Sequence, residues 1–267
     1  MKIYIITDVE GVAGVTNWRQ FGRPEFIHYG LCQELTTLEI NAACEGFFAA
    51  GAKEVVVDDA HGRGGINLKL LDPRVQYVRG IPPGHMHTRM MDGSYDALAF
   101  VGQHPKAGTE HAHIAHTMDW GVVDASINGV SVGEFGMRAL CASEMGVRTI
   151  FLSGDRAACQ EARELYPGIE TAEVKRGLMP GTGDEVGPEA YSARNEAAVH
   201  LHPQRAREVI RRSAEAAVRR MAAESFGIVR LPAPYTYVCR YRATGERPAR
   251  EERKTHPTSV IELLKKA

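Results

Sequence analysis

Short runs of consecutive apolar residues, each closed by polar ones, recur at residues 3–6, 55–57, 97–101, 149–152 and 228–231. Unbroken apolar runs mark strands covered on both faces, as in a parallel sheet between helix layers. Between the first two runs, residues 36–50 (TTLEINAACEGFFAA) have helical periodicity and stop at Gly51, a C-cap residue. Strand, loop, helix and strand in that order make a crossover unit of the α/β class.

Further on, residues 125–132 (ASINGVSV) place Asn128-Gly129 between alternating apolar positions, a hairpin signal. Residues 133–145 read as a helix with Glu134 in its first turn, 157–165 as a crossover helix and 171–174 as a strand. The Gly- and Pro-rich stretch 179–188 (MPGTGDEVGP) reads as a loop, and 189–225 as one or two long helices. The pattern predicts an α/β fold, a mostly parallel sheet with helices on both faces. The expected division is a metal-binding α/β domain over 1–185 and a smaller helical or α+β lobe over 186–267.

Composition narrows the partners. Lys and Arg number 32 against 33 Asp and Glu, which gives no electrostatic reason to expect nucleic acid or an anionic membrane. The basic residues Arg205, Arg207, Arg211, Arg212, Arg219 and Arg220 read as the solvated face of a helix. Cys32, Cys44, Cys141, Cys159 and Cys239 fit neither a disulfide framework nor a zinc knuckle. No signal peptide or membrane-length apolar stretch is legible, so reduced cytoplasm is the expected location.

The candidate chemistry sits at the strand ends. Asp8 and Glu10 follow the first strand in TDVEG, and in extended chain residues two apart point the same way. The second strand ends in DDAHG with His61, and the third in VGQHP with His104. In open α/β sheets ligands bind at the carboxyl ends of strands. Carboxylate with imidazole suits Zn²⁺ and similar first-row ions, whereas Mg²⁺ or Ca²⁺ favours oxygen alone. Glu134 adds a fifth candidate ligand, and such a set fits a two-metal hydrolytic site.

Each residue alone has a plainer reading. Asp8 and Glu10 are also suited to turns and caps, His61 to a hydrogen-bonded loop and His104 to a strand end before proline. Glu134 also suits the helix dipole. Residues 111–120 (HAHIAHTMDW) add His111, His113 and His116, with His116 a candidate for the wall of the same cleft. His85 and His87 read as solvated loop residues. Of Asp58 and Asp59, one is expected to accept a hydrogen bond from the His61 ring.

Taken in order, TDVEGVAGV, VVVDDAHG, AFVGQHPKAGT, HTMDWGV, INGVSVGEFG and SGDRAA resemble the zinc D-aminopeptidases of the bacterial dipeptide-transport type, over roughly the first 180 residues. The resemblance implies a di-zinc site with Asp8, Glu10, His61, His104 and Glu134 as ligands, Asp8 bridging, and His116 as a catalytic residue. It implies release of N-terminal D-amino acids from small peptides or amides; Mn²⁺ and Co²⁺ share such ligands with Zn²⁺ and are alternative metals. It also implies a homo-oligomer, a ring-shaped decamer. After about Ile228 the chain is expected to depart from the family, its tail being short and charged (RATGERPAREERK).

Three rival readings follow. An amidase acting on non-peptide amides would use the same metal site, since pocket walls set the substrate. A Mg²⁺ phosphatase would use Asp8 and Glu10, but two histidines in the set count against it. A non-catalytic metal- or peptide-binding protein would have no use for His116.

Overall fold

A computed structural model describes residues 1–265. In chain order the first half holds β1 (Lys2–Thr7), α1 (Trp18–Phe21), α2 (Tyr29–Ala49), β2 (Glu54–Asp58), β3 (Gln76–Val78) and β4 (Ala97–Gln103). Then come β5 (Val122–Ile127), β6 (Val130–Ser131), α3 (Glu134–Met145), β7 (Arg148–Asp155), α4 (Arg156–Leu165) and β8 (Glu170–Gly177). The chain closes with α5 (Pro188–Arg194), β9 (Ala198–His200), α6 (Pro203–Ala223), β10 (Tyr235–Tyr241), β11 (Arg250–His256) and α7 (Val260–Leu264).

A seven-stranded sheet runs β3-β2-β1-β4-β7-β8-β9. All its pairings are parallel except that of β8 with β9. The period of two in a strand sorts its side chains between two cores. Ile3 and Ile5 pack with Val55, Val57, Ala97 and Ala99 under the α2 and α6 residues Ile40, Phe47, Ile210 and Ala214. Tyr4 and Ile6 pack on the other face with Leu98 and Phe100, under Phe135, Ala139 and Tyr166. Both faces are covered by helices, and the apolar runs in the sequence are continuous for that reason.

A second, antiparallel sheet runs β11-β10-β5-β6. Its Ala125, Ile127, Tyr237 and Cys239 pack on Met137, Leu140 and Cys141 of α3 and on Leu263 of α7. Helix α3 thus lies between the two sheets, and its residues Glu134 to Ser143 are all buried. The β5–β6 hairpin turns on Asn128 (φ 51°) and Gly129 (φ 80°), the left-handed pair that the Asn-Gly signal predicts. The chain after residue 186 contributes to both layers, α6 to the main sheet and β10–β11 to the small one.

Several expectations are corrected. Residues 228–231 form no strand: Pro232 and Pro234 follow at once and lack the N–H a ladder needs, and Val229 donates instead to Ser143 Oγ at 3.1 Å. The stretch 189–225 holds two helices, but β9 separates them, and α6 starts afresh with Pro203 in its first turn and His202 as its cap. The charged tail does not end the pattern. It supplies an edge strand, β11, whose charged side chains suit an unpaired edge, and then a closing helix, α7.

Candidate metal centre

The ends of β2, β1 and β4 are adjacent in the sheet, the loops that leave them carry Asp8, Glu10, His61, His104 and His116, and Glu134 is the first residue of α3. Asp8, Glu10, His61, His104, His116 and Glu134 are all buried. Asp8 and Glu10 converge through a turn rather than by extended chain: β1 ends at Thr7, and the Val9 N–H donates to Asp8 Oδ1 at 3.0 Å and Glu10 Oε2 at 3.3 Å. His61 Nε2 lies 3.4 Å from Glu10 Oε1. His104 Nε2 lies 3.5 Å from Asp8 Oδ2 and 3.3 Å from Glu134 Oε1.

Donor atoms of Asp8, Glu10 and His104 fall within 4.8 Å of one another, as do those of His104, His116 and Glu134. The two groups share His104, and Asp8 lies within reach of both Glu10 and His104.

The donor set fits a divalent metal in its hydrogen bonding as well as its composition. The His104 ring is pinned by Nδ1, which lies 3.0 Å from the Pro105 carbonyl oxygen; a proton there leaves the Nε2 lone pair facing the carboxylates. That Nε2 is buried and in hydrogen-bonding geometry with nothing. His116 is held the same way, its Nδ1 2.9 Å from the Ile114 carbonyl oxygen, and its Nε2 is 3.8 Å from Glu134 Oε1. The His104 and His116 rings stack, with centroids 3.9 Å apart.

Packed this closely, these groups shift one another's protonation. Burial opposes ionisation of Glu10, yet His61 and His104 hold its carboxyl well below the usual range. Burial and the Glu10 charge push Asp8 the other way. Burial disfavours a charged His104, but Glu134, Asp8 and Glu10 push it up to about 10. His61 rises to about 9 in the same way, chiefly through Glu10. His116 drops to about 4, through burial and then the His104 charge, so its ring is neutral.

The loop around His61 is clamped by Arg79, whose Nη1 donates to the carbonyls of Asp59 and His61, each at 2.8 Å. Neither neighbouring acid holds the His61 ring, whose Nδ1 has no hydrogen-bond partner. Asp58 is taken by Arg89, at 2.6 and 2.8 Å, and Asp59 by the Gly65 N–H and the Tyr77 hydroxyl. Nor is His87 solvated: it is buried, whereas His85 is exposed. Of the other histidines, His113 points away from the cluster, with Nε2 3.0 Å from the Thr16 carbonyl, and His111 contacts the Leu178 carbonyl.

The cluster opens into a cleft of about 430 Å³ whose lining includes Asp8, Glu10, His61, His116 and Glu134. Sequence reasoning missed two of its walls. Trp18 packs edge-on to His61 and Trp120; nothing in its local sequence marks it. Arg138 donates to Glu134 Oε2 at 2.8 Å, and its place four residues on along α3 was a legible signal.

Known proteins share this chain's sequence pattern and its fold. The chain is 30% identical over 177 residues to a D-aminopeptidase of Bacillus subtilis (strain 168), a match covering 66% of this chain and 64% of that one. The chain thus matches somewhat under two thirds of that relative's length. The solved structure of the Zn-dependent D-aminopeptidase DppA from Bacillus subtilis, described as a self-compartmentalizing protease, has the same fold. Its TM-score is 0.84 at 21% identity, over 98% of this chain and 94% of that one. A family model described as D-aminopeptidase, of the M55 peptidases, matches residues 1–249, and the chain belongs to that family.

Proposed function

We propose that this chain is a zinc-dependent D-aminopeptidase that releases N-terminal D-amino acids from small peptides or amides at a di-metal site. Asp8, Glu10, His61, His104 and Glu134 would hold the metal, with Asp8 as the candidate shared carboxylate, in reach of both Glu10 and His104. The observation that carries the reading is His104 Nε2, buried and without a hydrogen-bond partner, with carboxylate oxygens at 3.3 and 3.5 Å. Mn²⁺ and Co²⁺ accept the same donors.

A divalent pair bound there would acidify a water and polarise the scissile carbonyl. His116 supplies the proton transfer. Its ring is neutral, with Nδ1 turned to the Ile114 carbonyl, so Nε2 can accept a proton from the attacking water. The same Nε2 then gives that proton to the leaving amine as the C–N bond breaks. Glu134 is oriented by Arg138 on one oxygen and by the Met118 N–H on the other, which restricts the carboxylate to one rotamer.

Kinship with a protein described as self-compartmentalizing supports a homo-oligomer for this chain too, and we take a ring-shaped decamer as the form to test by sedimentation. Five free, buried cysteines suit a reducing compartment such as the cytoplasm. No described helix is long and apolar enough to cross a membrane.

The test is turnover of D-alanyl p-nitroanilide with the L-isomer as control, before and after removal of divalent metal. Loss on chelation and recovery with Zn²⁺, on the D-isomer alone, is expected; full activity of metal-free protein overturns the reading. His116→Ala should lower kcat by about 10²-fold or more with zinc content intact. A loss of zinc instead would make His116 a ligand.

A further inference from the structure

Segment 12–16 joins the carboxylates of Asp8 and Glu10 to Trp18, and it belongs to no helix or strand. Its backbone is taken up instead by side chains from four distant places. Lys175 of β8 donates through Nζ to the carbonyls of Val12 and Val15, each at 3.2 Å. The Ala13 N–H donates to Glu39 Oε1 of α2 at 2.9 Å, and the Gly14 N–H to His200 Nδ1 of β9 at 3.1 Å. His113 Nε2 lies 3.0 Å from the Thr16 carbonyl, and the His113 backbone is itself fixed, its N–H donating to Asp155 Oδ2 at 3.2 Å. Each of five consecutive residues is thus pinned by a titratable side chain.

The two carboxylates do not need this clamp. The Asp8 N–H donates to the Val101 carbonyl at 2.9 Å and the Gly11 N–H to the Gly102 carbonyl at 2.8 Å, so β4 holds that end. The other end has no sheet beside it. Helix α1 is one turn of four residues, too short to hold itself in water. Yet Trp18, Gly22 and Arg23 line the cleft, and Trp18 stands edge-on to His61 with ring centroids 5.5 Å apart. Val12 and Val15 make the connection, packing with Phe21 of α1 in one buried cluster.

Holding the segment this way is costly. Lys175 is buried, and burial lowers it to about 8 against the pull of Asp155 and Glu39. His200 falls to about 4 through burial and then the Lys175 charge, which keeps its Nδ1 lone pair free for Gly14. Apolar residues in place of buried charge are often neutral or stabilising, so stability alone does not call for Lys175. What an ammonium adds is direction, since its three donors can take two carbonyls at once.

We propose that Lys175, His200, His113 and Glu39 are positioning residues, which hold segment 12–16 in one conformation and so set Trp18 as a fixed wall of the metal cleft. The kinetic consequence rests on the activity proposed above; the placement of Trp18 does not.

The experiment reads both. The chain has two tryptophans, so Trp120→Phe leaves Trp18 as the sole fluorescent reporter. In that background Lys175→Met and His200→Leu should raise acrylamide quenching of Trp18 about twofold, whereas His200→Asn, which keeps an acceptor near the place of Nδ1, stays close to the parent. With Trp120 intact, Lys175→Met should lower kcat/KM on D-alanyl p-nitroanilide about tenfold at unchanged zinc content. Trp18→Ala should cause a loss of the same order, and adding Lys175→Met to it should cost nothing more. If the lysine is merely structural, it lowers the rate by the same factor with Trp18 present or absent, which overturns the inference. Unchanged quenching in both Lys175→Met and His200→Leu overturns it as well, and so does loss of zinc from Lys175→Met. Absence of turnover in the wild-type zinc enzyme overturns the proposed activity instead, and the quenching then decides the placement of Trp18 alone.

Discussion

Gly102 and Asp8 meet backbone to backbone where β4 and β1 end: a β-carbon on Gly102 would lie 2.1 Å from the Asp8 carbonyl oxygen. Gly102 also has φ +78°, which side-chain-bearing residues rarely adopt. Gly11 faces the same seam, donating to the Gly102 carbonyl at 2.8 Å. The two strand ends that carry Asp8, Glu10 and His104 are close only because this seam has no side chains.

Gly102→Ala should therefore damage stability and site together. The clash is with backbone, so Asp8 must shift. The expected loss is about 2 kcal/mol or more in urea unfolding, with reduced zinc stoichiometry in whatever folds. Full zinc binding at wild-type stability would show that the seam tolerates a methyl group and does not set the site.

The Arg89–Asp58 pair bears on the cleft from another side. Its two hydrogen bonds are buried, and the Tyr4 hydroxyl adds a third to Asp58 at 3.1 Å. It anchors the chain after β3, which brings Ile81 and Met86 to the cleft, onto the end of β2. Arg89→Met leaves the Asp58 charge buried and should cost about 3–5 kcal/mol. Adding Asp58→Asn should recover part of that loss. If the double variant is less stable by the sum of both single effects, the pair is not coupled.

The layered fold was legible because its cause is local. Strands buried on both faces must be apolar at consecutive positions, and β1, β2, β4 and β7 are. Short edge strands carry no such mark: β3 and β9 are three residues each with none of them buried, and β11 is nearly all charged. Run 228–231 misled because apolar residues that pack under α3 look like a strand until the prolines are weighed. The candidate site was legible because strand ends put Asp8, His61 and His104 on one edge. Arg89, Arg138 and Trp18 reach the cleft region from distant segments, and only tertiary packing joins them.

Glu39 gives a pH dependence that can be read without activity. It is buried on α2, with Oε1 accepting the Ala13 N–H at 2.9 Å and Oε2 unpartnered. Burial raises it from 4.5 to about 8. A carboxyl with a raised folded pKa binds its proton more tightly when folded. Its contribution is thus complete below pH 4.5 and is lost as pH rises through about 8. Glu39→Gln keeps an acceptor for Ala13 and removes the titration. Relative to the parent it should gain about 2–4 kcal/mol between pH 5 and pH 8 in urea unfolding. Parallel stability curves for the two proteins would refute the buried-acid account.

Metal uptake should be linked to protons with a definite sign. Against the effect of burial, the surrounding carboxylates raise His61 to about 9 and His104 to about 10, so at pH 7 metal-free protein holds both rings protonated. A metal needs the Nε2 lone pair of each, and the His104 bond from Nδ1 to the Pro105 carbonyl is already in place to keep the remaining proton. Binding at pH 7 should then release about two protons per subunit from the two rings, and Asp8, whose carboxyl burial and the Glu10 charge push up, adds to that release. Affinity should rise with pH and level off only near pH 9 to 10, where the rings lose their protons unaided. Calorimetric titration with Zn²⁺ in buffers of different ionisation enthalpy measures the release directly. A value near zero would mean that the histidines are not displaced from their carboxylates and do not bind the metal.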